Sequence, residues 1–173
     1  MPARAPGALA WRWGGRPVTV AHEEVGGAGG TPVLCLPAFS TISSREELRP
    51  LAALLAAEGF RCALLDWPGF GDSERPRLDY GPALFRDFLA AFAEGRGPGL
   101  GVVACGHAAG YALELAHARP GLIGALALVA PTWRGPLPTA MGEHRRGAYA
   151  WVRRAVRAPV LGEVLYRANT SAP

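Results

Sequence analysis

The stretch Gly106-His107-Ala108-Ala109-Gly110 constrains this chain more than any other. A strand-like apolar run, Leu100 to Cys105, leads into it, and a helix-like run, Ala112 to Ala118, leads out. Only small residues fit at the flanks of a sharp strand-to-helix turn, and Gly106 and Gly110 meet that demand. The remainder of the chain repeats the same alternation of element types.

Trp11 to Trp13 and Pro17 to His22 read as two short strands around a Gly14-Gly15 turn. Val33 to Leu36 is a short apolar run suited to a strand buried on both faces. Ser43 and Ser44, each three residues before a glutamate (Glu46, Glu47), form a doubled capping-box signal. Leu48, Leu51, Ala52 and Leu55 then give a helical stripe that stops at Gly59. Arg61 to Asp66 reads as a strand and Trp67 to Pro76 as a turn-rich loop. Pro82 suits the first position of a helix whose buried stripe is Leu84, Phe85, Phe88, Leu89 and Phe92. Leu122 to Ala130 is a final continuous apolar strand. Strands alternating with helices predict an α/β fold, a mainly parallel sheet with helices on both faces. In such sheets ligands bind at the carboxyl ends of the strands, so the loops at Pro37, Trp67, Gly106 and Pro131 are expected along one edge.

The 173 residues are 50% hydrophobic, enough for one core of useful size. All 18 basic residues are arginine, and the net charge of +4 is concentrated after Pro131, where seven arginines face only Glu143 and Glu163. Residues 143–157 read as a basic amphipathic helix, and the simplest account of it is a solvated face; weak contact with an anionic surface is the alternative. Neither nucleic acid nor a membrane span is expected; the uncharged stretch Gly97 to Leu113 is broken by glycines, Pro98 and His107, unlike the ~20 apolar residues a span needs. Cys35, Cys62 and Cys105 fall in predicted strands without metal-ligand spacing, which predicts reduced core thiols, no metal and no cofactor. A reducing compartment follows as an expectation, cytoplasm or plastid stroma.

Three segments together resemble the α/β-hydrolase superfamily over roughly residues 11 to 170. They are Leu36-Pro37-Ala38-Phe39 after the first buried strand, Asp66-Trp67-Pro68-Gly69-Phe70-Gly71-Asp72-Ser73, similar to the family's D-x-P-G-x-G-x-S loop, and the G-H-A-A-G turn, similar to its G-x-S-x-G nucleophile elbow. The resemblance implies that residue 108 is lifted over the sheet edge at the nucleophile position. It implies oxyanion-hole donors at the backbone N–H groups of Phe39 and Ala109. It also implies residues 1–130 as the α/β-hydrolase core and 131–173 as the start of a helical cap. Pro37-Ala38-Phe39-Ser40-Thr41, Asp66 to Gly71 and Ala130 to Thr139 further resemble a poorly characterised branch from cyanobacteria and plastid-bearing eukaryotes that also carries alanine in the elbow.

Two departures from the family govern the function. Ala108 replaces the serine, and a methyl group neither attacks a carbonyl nor donates a hydrogen bond. The triad acid and histidine are also not found, so the chain is expected to be truncated within the cap. His107 is expected to pack locally rather than catalyse, Cys105 to face the sheet core, Ser73 to close its loop, and Asp66 and Asp72 to fix turns. His22, His117 and His144 show no ligand spacing. The leading expectation is a non-catalytic or catalytically altered hydrolase-fold protein that binds a small apolar or ester-like molecule. The alternatives are an active hydrolase or lyase completed by a missing C-terminal part, and an interaction or membrane-surface module acting through the basic cap segment.

Overall fold

The computed structural model describes residues 7–132 and Ala158. The basic helix expected over 143–157, His144 and the rest of the expected cap lie outside the described residues. The chain divides into two compact units, Met1–Pro131 and Thr132–Pro173, and the fold below is that of the first.

Six strands form one sheet among the described residues: β1 (Gly7–Trp13), β2 (Arg16–Val25), β3 (Thr31–Leu36), β4 (Phe60–Leu65), β5 (Leu100–Cys105) and β6 (Ile123–Val129). Their order is β1-β2-β4-β3-β5-β6. β1 and β2 form an antiparallel hairpin and β2 lies antiparallel to β4, whereas β4, β3, β5 and β6 are mutually parallel. The hairpin turn is Gly14-Gly15, both at positive φ (53° and 80°), the conformation a two-residue hairpin demands. Each parallel crossover carries a helix: α1 (Arg49–Ala57), α2 (Pro82–Glu94) and α3 (Ala108–Ala118).

Strand alternation divides the core into two layers. Leu34, Leu36, Ala63, Leu65 and Val102 join Val18 and Val20 in a layer completed by Leu84, Phe85, Phe88, Leu89 and Phe92 of α2 and by Ala108, Ala109, Ala112 and Leu115 of α3. Val33, Cys35, Cys62, Leu64 and Val103 face the other way, against Leu48 and Ala52 at α1. The apolar stripe expected for the second helix is therefore the buried face of α2, and Phe88 meets Trp11 edge-on at 5.3 Å. Each fully buried large side chain of this kind contributes roughly 1.5–3 kcal/mol.

Two local expectations need correction. The doubled capping box reduces to one simple cap: Ser44 accepts a hydrogen bond from the Glu46 N–H, while Ser43 is buried with its Oγ 2.7 Å from that of Ser40. The first turn, Arg45–Leu48, is a 3₁₀ turn rather than α-helix. Pro50 has no N–H to return to the Glu46 carbonyl, and the Arg49 N–H takes that carbonyl instead. Glu46 does not close a capping box; its carboxylate pairs with Arg49. Cys105 packs against the second core layer, in line with the sequence reading, and is half-buried there. Cys35 and Cys62 are fully buried neighbours; the hydrogen bond that the Cys35 thiol donates to Cys62, together with burial, pushes the Cys35 thiol up and keeps it protonated.

His22 continues the inward strip of β2 and meets the Phe92 ring edge-on at 6.2 Å. Burial, assisted by the nearby charge of Arg96 and opposed by Glu24, lowers its pKa below 6.5. The unfolded chain therefore takes up this proton first as pH falls. The contribution of neutral His22 to stability is complete above about pH 6.5 and declines as pH drops toward the folded value. In denaturant unfolding at pH 7.5 and 5.5, His22→Gln is expected to lose less stability on acidification than the wild type; equal losses would assign the acid sensitivity elsewhere.

Candidate functional site

β3, β4, β5 and β6 run parallel, so the loops that follow them at Pro37, Asp66, Gly106 and Ala130 leave from one end of the sheet. Phe39, Trp67 and the 106–110 turn all belong to this edge.

The turn itself is built differently from its sequence expectation. Gly106 takes the left-handed conformation (φ 54°), and its N–H donates to the Val129 carbonyl at 3.0 Å. His107 is already helical (φ −70°, ψ −21°), and α3 starts at Ala108. Because glycine adopts positive φ without a Cβ clash, residue 108 needs no strain to complete the turn. Ala108 is fully buried in the layer shared with α2. The Ala109 N–H, expected as an oxyanion donor, donates to the Gly106 carbonyl at 3.3 Å, and the Gly110 N–H to His107 at 3.2 Å. His107 is half-buried. Cys105 ends β5 with its thiol pushed up by burial and by Glu47, so little nucleophilic thiolate forms there.

Phe39, the other expected oxyanion residue, is the centre of an aromatic cluster. Its ring centroid lies 4.5 Å from Trp67, 4.7 Å from Phe85, 5.2 Å from Tyr111 and 5.5 Å from Phe70. Trp67 is fully buried, and its Nε1–H donates to the Pro37 carbonyl at 2.9 Å, tying the β3 loop to the β4 loop. Tyr111 stands one turn into α3; burial, reinforced by Glu114 and opposed by Arg86, raises its pKa and keeps the phenol protonated. The cluster thus offers apolar ring faces and one neutral hydroxyl. Sequence reading gave Tyr111 no role, although its spacing of three residues from Ala108 places it on the same helix face.

A buried ionic network holds the two loops in place. The Asp66 carboxylate is completely buried and accepts from the Arg45 N–H (2.6 Å), from the Asp72 N–H (2.9 Å) and from the Arg45 guanidinium. Arg45 also reaches Asp72 at 2.8 Å and lies 4.0 Å from Glu23. Burial opposes its charge, but the hydrogen bonds and fields of Asp72 and Asp66 hold its pKa above the ordinary arginine value. Ser73 Oγ donates to the Asp66 carbonyl (2.8 Å) and accepts from the Ala21 N–H (2.9 Å). Asp66, Asp72 and Ser73 therefore fix the loop, in line with the sequence reading. Arg45, the hub, was not legible: it lies 21 residues from Asp66, inside what reads as a helix cap. Gly71 is obligatory here, because at φ 48° a Cβ would collide with the Asp66 carboxylate.

Among the described residues no cluster of three or more His, Cys, Asp or Glu side chains could hold a metal ion. His22 and His117 lie apart, the first within the sheet layer and the second exposed in the last turn of α3. No described helix is long and apolar enough to cross a membrane.

Residues 26–172 match the sequence model of the alpha/beta hydrolase family, and the chain belongs to that family. Solved structures of the same fold include a haloalkane dehalogenase from Agrobacterium tumefaciens (TM-score 0.68, 20% identity, covering 95% of this chain and 53% of that one). An epoxide hydrolase from Vigna radiata matches with TM-score 0.70 and 21% identity over 95% of this chain and 53% of its own. The thioesterase domain from the curacin biosynthetic pathway matches with TM-score 0.69 and 20% identity over 85% and 51% of the two chains. At these identities the likeness defines the fold, and the chain spans about half the length of these structures. No protein of curated function matches the sequence.

Proposed function

We propose that this chain is a hydrolase-fold protein without nucleophilic chemistry at its elbow, which binds a small apolar or ester-like molecule at the carboxyl edge of the sheet. The observation that carries this reading is the state of the turn. Ala108 is buried and helical, and the neighbouring Ala109 N–H is committed to the Gly106 carbonyl. A catalytic elbow requires a reactive side chain and a donor aimed at the developing oxyanion, and the methyl group of Ala108 with the Ala109 N–H bond to Gly106 support a turn that works without them. The rings of Phe39, Phe70, Phe85 and Tyr111 provide the apolar contact surface, and the Tyr111 hydroxyl a single polar group to orient an ester carbonyl. On this reading 1–130 is the core and residues from 131 onward begin a cap. On the same reading the chain is similar to the branch from cyanobacteria and plastid-bearing eukaryotes that carries alanine in the elbow, and its compartment is a reducing one, cytoplasm or plastid stroma.

The test uses 4-nitrophenyl butyrate and a fluorophosphonate label. The wild type is expected to bind the ester, read by calorimetry, without releasing nitrophenolate and without labelling at residues 106–110. Tyr111→Ala is expected to weaken binding about tenfold, the loss of about 1.4 kcal/mol. Ala108→Ser is expected to remain inactive, because the hydroxyl would enter a buried helical turn. Robust turnover or elbow labelling in the wild type would overturn the reading in favour of an active hydrolase.

A further inference from the structure

A cavity lies at the other end of the parallel strands from the elbow. It has a volume of about 300 Å³ and opens between the end of α2 and the first residues of β3 and β4. Its walls include Glu24, Pro32, Arg61, Ala63, Gly95 and Arg96. The sheet register accounts for this grouping: Glu24 pairs with Ala63 and Pro32 with Arg61, and Arg61 and Ala63 are two residues apart on one face.

Arg96 is fixed in this wall. Its guanidinium lies 3.6 Å from the centroid of the Phe92 ring, donates to the Phe92 carbonyl at 2.9 Å and pairs with Glu24 at 2.9 Å. Arg61 donates only to the Ala28 carbonyl, at 3.3 Å, and among the described residues no carboxylate pairs with it. Two guanidiniums and one carboxylate thus line the cavity, and the carboxylate is paired with Arg96 alone. Burial lowers the pKa of Arg96, and the charge of Arg61 lowers it further, against the opposing effect of Glu24.

We propose that this cavity binds a phosphate group, free or as a phosphomonoester. The site has the composition such a group requires. Two guanidiniums supply planar donors to its oxygens. Glu24 accepts from the P–OH that a phosphate carries when singly protonated, near and below a second pKa of about 6. A carboxylate ligand has no such proton to give, and its charge is repelled by Glu24. Pro32 and Ala63 leave an apolar wall for an ester substituent.

The experiment titrates the full chain at pH 6.5 with inorganic phosphate, acetate and chloride at constant ionic strength, read by Tm and by calorimetry. Phosphate is expected to raise Tm saturably, with Kd of about 1 mM, while acetate and chloride give no saturable response. Arg61→Gln is expected to weaken phosphate at least about tenfold, whereas Arg119→Gln, which removes an exposed arginine paired with Glu94 on the surface, leaves it unchanged. Equal responses of the wild type to phosphate and acetate would overturn the proposal, and so would an unchanged phosphate affinity in Arg61→Gln. The first comparison needs no variant, so it stands even where Arg61→Gln folds poorly.

Discussion

Asp66→Ala is expected to cost about 3–5 kcal/mol of folding stability, because it removes the main counter-charge of a guanidinium that stays buried. Arg45 is only 5% exposed, and its remaining partners are Asp72, whose side chain is 75% exposed, and Glu23 at 4.0 Å. The substitution also strands the Arg45 and Asp72 backbone donors that the carboxylate now accepts. Domains of this size have total stabilities of about 5–15 kcal/mol, so the variant is expected to unfold early in urea. A double variant, Arg45→Met with Asp66→Leu, removes both charges together and is expected to recover part of the loss. If the double variant is destabilised by the full sum of the two single ones, the buried pair is not the coupled unit described above.

Trp67→Ala is the second large expected loss, also about 3–5 kcal/mol. The indole is completely buried and touches Phe39, Phe85, Phe88 and Tyr111 with ring centroids 4.5 to 6.1 Å away. Truncation opens a void between α2, α3 and the sheet edge and leaves the Pro37 carbonyl without its donor. Trp67→Phe keeps most of the ring volume and loses the Nε1 hydrogen bond, for an expected cost of about 1 kcal/mol from that bond. Urea unfolding of both variants separates the two contributions. A Trp67→Phe loss as large as that of Trp67→Ala would place the stabilisation in the hydrogen bond rather than in packing.

The elements visible in the sequence were those written in local patterns. Leu100 to Cys105 is a strand with the expected limits, and Pro82 opens α2. The loop formed by Asp66 to Ser73 was legible because its glycines and aspartates act over a few residues. Gly71 makes room for the Asp66 carboxylate, and Ser73 turns back onto its carbonyl. What stayed hidden depends on distant partners. Nothing near Arg45 in sequence signals that it will be buried against Asp66, and nothing near Ser43 signals that its hydroxyl will turn inward to Ser40 while Ser44 caps. The elbow was half legible. Its strand, helix and glycines were evident, but the choice of Gly106 over residue 108 for the positive φ is a backbone decision on which composition is silent.

The loop after β4 has a consequence for how the hairpin finds its place. β2 pairs with β4 only from His22 to Val25, and beyond that point the loop takes over as its partner. The Asp66 N–H donates to the Ala21 carbonyl at 2.9 Å and the Glu74 N–H to the Thr19 carbonyl at 2.8 Å. In return the Thr19 N–H donates to the Glu74 carboxylate at 2.8 Å and the Ala21 N–H to Ser73 Oγ at 2.9 Å. A slip of β2 by one residue would turn Val18 and Val20 out of the core, and it would also misalign all four of these bonds. The loop therefore works as a ratchet pawl for the antiparallel hairpin, admitting one alignment of β2 and rejecting its neighbours.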